Sequence, residues 1–239
     1  MVHFTRFEAP GFLAVNKKEY KWVVRPSPGP HRARFSVPLA VVLRDQLKVA
    51  TSIKEVKAIV SQGKVLVDGR IRKDYRYPIG VMDVIAIPSA SLYFRAMPHP
   101  TDYITLVKIT SEDATYKLVK VANKTTLTGK RTQLNLDDGR NILVNEEKAK
   151  SIHTRDTLKI ELPSQNIIGH LEMKEGAYGI ITGGKNVGAH GKISSIKKAQ
   201  YKVDAYSLVT VENQAGYKYE TNLKNVMVIG EEKPEIRLE

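Results

Sequence analysis

Hydrophobic side chains recur every three to four positions in two stretches between residues 39 and 60. The first stretch contains Leu39, Val42, Leu43 and Leu47, and the second contains Ile53, Val56, Ile59 and Val60. This period places the apolar side chains on one face of an α-helix and polar residues on the other. The pattern therefore predicts two short amphipathic helices.

Capping residues mark the ends of these helices. Pro38 suits the first turn of the first helix, because the backbone N–H that proline lacks has no partner within the helix at that position. Thr51 or Ser52 can cap the second helix, with Glu55 placed to reach back to Ser52. Gly63 follows the last apolar position and suits a left-handed C-terminal cap. The helix pair is therefore expected to end at Gly63.

After the helix pair, the hydrophobic pattern changes from helical to alternating. Val65 and Val67 alternate with polar neighbours, Asp68-Gly69 is a tight-turn pair, and Ile71 resumes the alternation. A closing strand is expected at residues 83–87. The two helices, the hairpin and this strand are predicted to form one compact unit.

Basic side chains gather around the predicted hairpin. They are Lys64, Arg70, Arg72, Lys73 and Arg76, and Tyr75 and Tyr77 lie among them. Fixed cations beside flat aromatic rings suit a phosphate backbone and its unstacked bases. An ordinary hairpin with a solvated basic tip is the alternative interpretation.

Residues 92–171 show mainly strand signals. Residues 133–136 are expected to pair with residues 141–144 across Asp138-Gly139, and residues 157–162 alternate cleanly. No candidate site lies in this block. It is predicted to be a small β domain, either a barrel or a sandwich, that serves as scaffold and surface.

A glycine-rich segment at residues 175–193 opens the last third of the chain. Glycine lets a backbone approach a partner closely, and Lys185, His190 and Lys192 are expected on the exposed loop of this segment. The segment resembles the KOW motif of SH3-like barrels, and a glycine-rich hairpin without a ligand is the alternative. The strands expected to complete such a barrel are residues 202–204, 207–211, 217–221 and 226–229.

Signals for catalysis are weak. Gly179 and Gly184-Lys185 match most of a P-loop, but Asn186 stands where a Ser or Thr would hold magnesium. A strand is also expected from residue 193, where a phosphate-binding helix should start. The histidines lack metal-ligand spacing, and the chain has no cysteine. We therefore predict no catalytic residue, no metal site and no cofactor.

The N-terminal region shows little periodicity. Its proline-rich stretch at residues 25–30 cannot be helical, and Arg32 and Arg34 follow it. Residues 1–36 are interpreted as an extended basic Pro-rich arm that lies along a partner, in preference to a linker. The domains expected after this arm are residues 37–91 with the helix pair and hairpin, residues 92–171 with the central β domain, and residues 172–239 with the KOW-type barrel.

The charge distribution favours a nucleic-acid partner. The net charge is +13, from 38 Lys and Arg against 25 Asp and Glu. Residues 1–87 hold 16 basic and 7 acidic side chains, net +9, and residues 88–239 hold 22 and 18, net +4. Concentrated positive charge attracts polyanions and makes binding depend on salt.

An anionic membrane is the competing partner for so basic a chain. No apolar run approaches the roughly 20 residues needed to span a bilayer. Glu8, Pro10 and Lys17 interrupt any apolar core of a signal peptide. The lack of cysteine agrees with a reducing cytosol, so a cytoplasmic location is expected.

The helix pair and basic hairpin resemble the S4-type RNA-binding domain. Simple domains of this type close with Gly-Asp directly before the last strand, whereas here Val81-Met82 separates Gly80 from Asp83. The order of the modules resembles the ribosomal protein family S4e of the archaeal and eukaryotic small subunit, and that family shows this longer spacing. The segments that carry this resemblance are residues 25–31, 38–45, 67–74, 77–85, 109–110, 116–118, 182–188 and 228–230.

The resemblance implies an α+β fold, predominantly β, with an S4-type domain, a central β domain and a C-terminal SH3-like KOW barrel. It implies a structural, non-enzymatic constituent of the small (30S) ribosomal subunit that binds 16S-type ribosomal RNA and supports subunit assembly and translation. Neighbouring small-subunit proteins are the other expected partners, with no membrane and no small-molecule substrate. Tyr77 is expected in the core. The residues expected to contact RNA are Arg32, Arg34, Arg44, Lys48, Lys64, Arg70, Arg72, Lys73, Tyr75, Arg76, Lys185, His190 and Lys192.

Two other classes of protein remain as alternatives. An RNA-modifying enzyme can carry an S4-type domain, but no nucleotide-binding fingerprint or convincing catalytic carboxylate occurs here. A transcription elongation factor can carry a KOW motif, but this leaves the S4-type half unexplained. The N-terminus also lacks the lysine-rich tail usual in the S4e family, and the C-terminus lacks a basic tail, so weaker electrostatic anchoring of both ends is expected.

Overall fold

A computed structural model describes residues 4–13, 15–129, 131–201 and 206–238 of the chain. The chain divides into two compact units, Met1–Thr115 and Tyr116–Glu239. Both units are built mainly from antiparallel strands, and helices are few and short among the described residues. The prediction of an α+β, predominantly β fold is confirmed.

The first unit holds the predicted helix pair and hairpin. Its elements are β1 (Val37–Pro38), α1 (Leu39–Val41, continuing as a π-helical turn over Val42–Gln46), α2 (Ile53–Ser61), β2 (Leu66–Val67), β3 (Arg70–Ile71), β4 (Pro78–Ile79), β5 (Val84–Ile87), β6 (Leu92–His99) and β7 (Tyr103–Lys108). Every residue of α1 from Leu39 to Leu43 is almost fully buried, because the run is apolar on all sides.

The start of α2 is capped much as expected, with one difference. The Ser52 hydroxyl accepts a hydrogen bond from the Glu55 N–H at 3.3 Å. The Glu55 carboxylate accepts one from the Thr51 N–H at 2.9 Å, whereas the sequence predicts a bond to Ser52. The Thr51 hydroxyl donates a second bond to this carboxylate at 3.1 Å, and the two bonds from Thr51 hold the pKa of Glu55 below its ordinary value. The left-handed Gly63 after the helix is confirmed, with φ +73°.

The predicted hairpin turn is also present. Asp68 and Gly69 both have positive φ, 52° and 72°, as a tight two-residue hairpin turn requires. The buried Asp68 carboxylate accepts a hydrogen bond from the Val84 N–H at 2.9 Å, which fixes the hairpin to β5. Ile71 differs from the alternating pattern because its side chain is exposed on the outer strand β3.

The sheet of the first unit continues across the domain boundary expected at residue 91. Its strand order is β3-β2-β5-β6-β7, so β6 and β7 pair onto the hairpin sheet although the sequence assigns residues 92–108 to the central domain. The reason lies in the connection at Pro88–Ala90. These residues form a 3-10 turn that ends in a left-handed Ser91 and folds the chain straight back onto β5.

The N-terminal region packs on its own unit, whereas the sequence predicts an extended arm along a partner. Backbone hydrogen bonds join Arg6 to Lys21 at 3.0 Å and Val23 to Phe4 at 3.0 Å. Ala9, Leu13 and Val23 share one hydrophobic core with the helix pair. These apolar residues are single and irregularly spaced, so they leave no periodic signal in the sequence.

The proline-rich stretch contains no helix, as expected, and it is held by contacts at Ser27 and at His31, which directly follows the stretch. The Ser27 N–H donates to the Arg76 carbonyl at 2.9 Å. The His31 ring lies 3.0 Å from the buried Asp83 carboxylate, and it fills the space that a Cβ on Gly80 would need. The stretch therefore packs against residues 76–83, which follow the hairpin.

The second unit contains two five-stranded antiparallel sheets. Its elements are β8 (Tyr116–Leu127), β9 (Arg131–Leu136), β10 (Asn141–Asn145), α3 (Glu146–Ser151), β11 (Thr157–Glu161), β12 (Ile167–Leu171), β13 (Tyr178–Ile181), β14 (His190–Lys197), β15 (Leu208–Glu212), β16 (Lys218–Asn222) and β17 (Val226–Gly230). The predicted pairing of β9 with β10 is confirmed, and Gly139 turns between them with φ +76°.

The second sheet of this unit has the order β16-β15-β14-β13-β17. It is an open half-barrel with β16 and β17 as its outer strands, joined by a 3-10 turn at Leu223–Asn225. The strand expected at residues 202–204 lies outside the described residues. The first sheet, β10-β9-β8-β11-β12, encloses a separate core that includes Val121, Leu134 and Leu158.

Candidate nucleic-acid interface

The hairpin presents its basic side chains in two different states. Arg70 and Lys73 are exposed. Arg72 is half-buried, and its guanidinium lies 4.4 Å from the centroid of the Tyr77 ring. Tyr77 itself packs against the core of the first unit. The Tyr77 ring therefore makes a cation–π contact with the Arg72 guanidinium and restricts its position.

Helix α2 adds cations beside the hairpin. Lys57 places its ammonium 4.8 Å from the centroid of the Tyr75 ring, and Lys54 and Lys64 are exposed nearby in sequence. Lys54 and Lys57 are absent from the residues that the sequence predicts. Lys54 and Lys57 lie three positions apart in the sequence, so they share the exposed face of α2, away from the buried Val56 and Val60. This periodicity is the sequence signal that indicates them.

Arg44 is less available than the sequence suggests. Its guanidinium donates to the Asp45 carboxylate at 2.8–3.2 Å, and both side chains are mostly buried. Lys48 is exposed at the end of the π-helical turn, where it has positive φ. Arg32 and Arg34 are exposed at the 3-10 turn after the proline-rich stretch. Arg44 therefore differs from the exposed Lys48, Arg32 and Arg34, because the Asp45 carboxylate neutralises its charge.

Tyr75 and Arg76 face the N-terminal region. The Arg76 N–H donates to the Asp74 carboxylate at 2.8 Å, and the other Asp74 oxygen accepts from the Ser27 hydroxyl at 3.0 Å. Both Tyr75 and Arg76 line a groove together with residues of the N-terminal region. The structure thus combines the hairpin, α2 and the N-terminal region in one basic surface.

The glycine-rich loop lies in the second unit, between β13 and β14. Gly184 and Gly188 have positive φ, 92° and 84°, and Lys185 is exposed between them. Lys192 is exposed on β14. His190 is half-buried, and its Nδ1 shares a 2.9 Å hydrogen bond with the Tyr178 hydroxyl. Burial raises the pKa of Tyr178, so this hydroxyl stays neutral at physiological pH.

The weak P-loop match has the structure of a hairpin. The residues after Lys185 lead into strand β14, as the sequence predicts, with no helix N-terminus to receive a phosphate. Across the described ranges, no cluster of three or more His, Asp or Glu side chains has the arrangement of a metal site. Within the same ranges, no helix is long and apolar enough to cross a membrane.

Three family models match successive parts of the chain. They are the RS4NT (NUC023) domain at residues 2–34, the S4 domain at residues 37–85 and the ribosomal family S4e at residues 90–167. The small ribosomal subunit protein eS4 of Saccharolobus islandicus is 54% identical over 239 residues, which covers 100% of both chains. The chain belongs to the S4e family. The resemblance in the sequence is therefore confirmed.

Other S4e proteins agree with this assignment. The small ribosomal subunit protein eS4 of Sulfolobus acidocaldarius is 52% identical over 240 residues, covering 100% of this chain and 98% of its own. The crystal structure of the 30S ribosomal protein S4e from Thermoplasma acidophilum is 32% identical with a TM-score of 0.68. It covers 82% of this chain and 95% of its own. The S4 match at residues 37–85 spans α1, α2 and the basic hairpin.

Proposed function

We propose that this S4e protein is a structural constituent of the small (30S) ribosomal subunit that binds 16S-type ribosomal RNA and supports subunit assembly and translation. The observation that carries the proposal is the row of exposed or ring-supported cations on the hairpin and α2, within the matched S4 domain. Relatives of the same length that are named small ribosomal subunit proteins support it. Phosphates are the ligand that such an array suits.

The proposed mechanism divides the work among the modules. Arg70, Arg72 and Lys73 neutralise phosphates, and the helix pair recognises the shape of the RNA. The half-barrel sheet is proposed to act as an SH3-like KOW barrel that docks Lys185 and Lys192 onto RNA or a neighbouring small-subunit protein. Under this proposal the functional domains are residues 1–36, 37–91, 92–171 and 172–239, even though β6 and β7 share a sheet with the hairpin.

The same proposal makes the protein non-enzymatic and places it in the cytoplasm, on the ribosome. Membership of a ribosomal protein family supports this role, and so does the glycine-rich segment, which is a hairpin and not a P-loop. Sucrose-gradient sedimentation of a tagged chain tests it. We expect stoichiometric comigration with the small subunit that resists moderate salt. Sedimentation away from the subunit together with an RNA-modifying activity would support an RNA-modifying enzyme. Sedimentation with RNA polymerase would support a transcription elongation factor.

The hairpin is tested by the triple variant Arg70→Ala/Arg72→Ala/Lys73→Ala. We expect weaker binding to a small-subunit rRNA transcript, and a plot of log Kd against log salt whose slope falls by roughly one unit per lost phosphate contact. The readout is fluorescence anisotropy of labelled RNA at several salt concentrations.

The matched control removes three exposed lysines from the second unit, Lys148→Ala/Lys150→Ala/Lys174→Ala. It changes the net charge by the same amount. We expect its salt slope to stay close to that of the unaltered protein. An equal loss of slope in both triple variants would show that net charge, and not the hairpin, governs binding.

A further inference from the structure

A groove separates the N-terminal region from the S4 helices and the hairpin exit in the first unit. Its volume is about 560 Å³. The residues that line it are Phe4, Trp22, Val23, Val24, Arg25, Pro26, Ser27, Pro28, His31, Ala33, Arg44, Ile53, Tyr75 and Arg76. It therefore lies beside the basic hairpin but is walled largely by the N-terminal region.

The lining of the groove combines aromatic rings with positive charge. Phe4, Trp22 and Tyr75 supply the rings, and Arg25 and Arg76 supply guanidinium groups. Among the described residues that line the groove, none carries a carboxylate. The groove therefore suits a ligand that has a flat apolar part and a negative part.

Trp22 is the most informative residue of the lining. Its side chain is 48% exposed although it is large and apolar, and the Lys21 ammonium lies 4.9 Å from the ring centroid. Exposed aromatic rings beside cations are the usual platform for an unstacked base, since every base presents a π-face. A cation next to the ring adds attraction for the adjoining phosphate.

The walls of the groove are held before any ligand arrives. The Val23 N–H donates to the Phe4 carbonyl at 3.0 Å, and the Ser27 N–H donates to the Arg76 carbonyl at 2.9 Å. The Ser27 hydroxyl adds a third bond, to Asp74. Because the site is preorganised, little conformational entropy is lost on binding.

We propose that this groove takes a single unstacked nucleotide of an RNA strand, with its base on the Trp22 ring and its phosphate beside Arg25 and Arg76. The volume is within the range of small-molecule sites and suits one nucleotide, whereas bases inside a duplex stay stacked and do not reach Trp22. The inference rests on the proposed function, because it adds a single-strand contact to the binding of structured RNA.

Trp22 is the only tryptophan of the chain, so its fluorescence reports on the groove. The full-length protein is titrated with a short single-stranded oligoribonucleotide, with a blunt RNA duplex of the same strand length, and with free AMP at matched nucleotide concentration. We expect the single strand to quench Trp22, and the duplex to bind by anisotropy without quenching. Equal quenching by free AMP would overturn an RNA strand as the ligand.

The variant Trp22→Leu removes the platform. We expect its affinity for the single strand to fall roughly 5- to 150-fold, as for the loss of one stacked base, and its affinity for the duplex to stay unchanged. Trp22→Phe retains a ring and should restore most of the affinity. Phe7→Leu is the matched control, because Phe7 is 71% exposed in the same region but does not line the groove. Circular dichroism checks that each variant is folded.

The outcomes separate the two proposals. If the single strand binds without quenching, or binds Trp22→Leu as tightly as the unaltered protein, the nucleotide groove is wrong while rRNA binding by the hairpin stands. If neither the single strand, the duplex nor the small-subunit rRNA transcript binds, the proposed function fails and the groove fails with it.

Discussion

The two units of this S4e protein contain nearly the same number of basic residues but use them differently. The first unit has 18 Lys and Arg and 10 Asp and Glu, and the second has 20 and 15. In the first unit, the buried carboxylates of Asp68 and Asp83 each accept a hydrogen bond from a backbone N–H, and most cations remain at the surface. Arg6 and Arg95, which are buried, are exceptions.

In the second unit, three lysines direct their ammonium groups to acceptors within the fold. Lys117 is 1% exposed and lies 3.2 Å from the Asp138 carboxylate, which also binds Arg140. Lys120 donates to the Lys224 carbonyl at 2.7 Å, and Lys124 donates to the Ala149 carbonyl. A cation satisfied inside the protein contributes little to RNA affinity. Net charge alone therefore does not show which unit binds RNA; the position of the charge does.

The strongest test of this difference removes the internal carboxylate of the second unit. Asp138→Ala leaves Lys117 buried without this partner, so we expect a loss of about 3–5 kcal/mol in the free energy of unfolding. Urea unfolding followed by circular dichroism measures it. Glu172→Ala is the control, because Glu172 is an exposed carboxylate of the same unit and its variant should change the free energy of unfolding by less than about 0.5 kcal/mol. Equal losses would contradict a structural role for the Lys117 pair.

The next test concerns the closure of the N-terminal region over the first unit. A Cβ on Gly80 would overlap the His31 ring. Gly80→Ala should displace His31 and lower stability by about 1–3 kcal/mol. Limited proteolysis should then cut the N-terminal region faster. Gly11→Ala is the control, since a Cβ there meets nothing within 4 Å; faster cutting of this variant too would point to a non-specific effect.

A smaller effect is expected at the cap of α2. Ser52→Ala removes the acceptor of the Glu55 N–H and should lower stability by about 1 kcal/mol. Thermal unfolding measures the change. Ser61→Ala, at the other end of the same helix, removes only an exposed bond to Ala58 and should change it less. A larger loss at Ser61 would rule out the cap as the main local support of the helix.

The smallest effect should appear in the pH dependence of stability. The pKa of Glu55 lies below its ordinary value near 4.5, because the folded state stabilises the charged carboxylate. Its contribution is fully present above pH 4.5 and is lost as the pH falls through the lowered pKa. Glu55→Gln should therefore be less stable than the unaltered protein at neutral pH, and the two should converge in acid. A constant difference at all pH values would contradict this.

Much of the first unit was predictable because its signals are local. The apolar period gives α2, and Gly63 and Asp68-Gly69 give the cap and the turn. The packing of the N-terminal region was not predictable, since it depends on contacts such as His31 with Asp83, which are 52 residues apart. The stretch from Pro88 to Ser91 predicts a domain boundary by its composition, whereas in the structure it is a tight turn between the paired strands β5 and β6.

The sequence predicts which basic and aromatic residues belong to the candidate interface, but it does not predict which of them are exposed to a ligand. Arg70 and Lys73 are exposed, as expected. Arg44 binds Asp45 instead, a neighbour whose effect depends on rotamers that sequence does not specify. Trp22 and Lys57 were missed because each owes its position to a ring or a groove that forms only after folding.

The contact between His31 and Asp83 also has a consequence during synthesis. Ser27 and His31 leave the translating ribosome well before their side-chain partners Asp74 and Asp83. Until Asp83 emerges, the end of the proline-rich stretch lacks both of these contacts. Loop closure over this distance follows the synthesis of Asp83, so these contacts of an early segment form later than the local turns of α2.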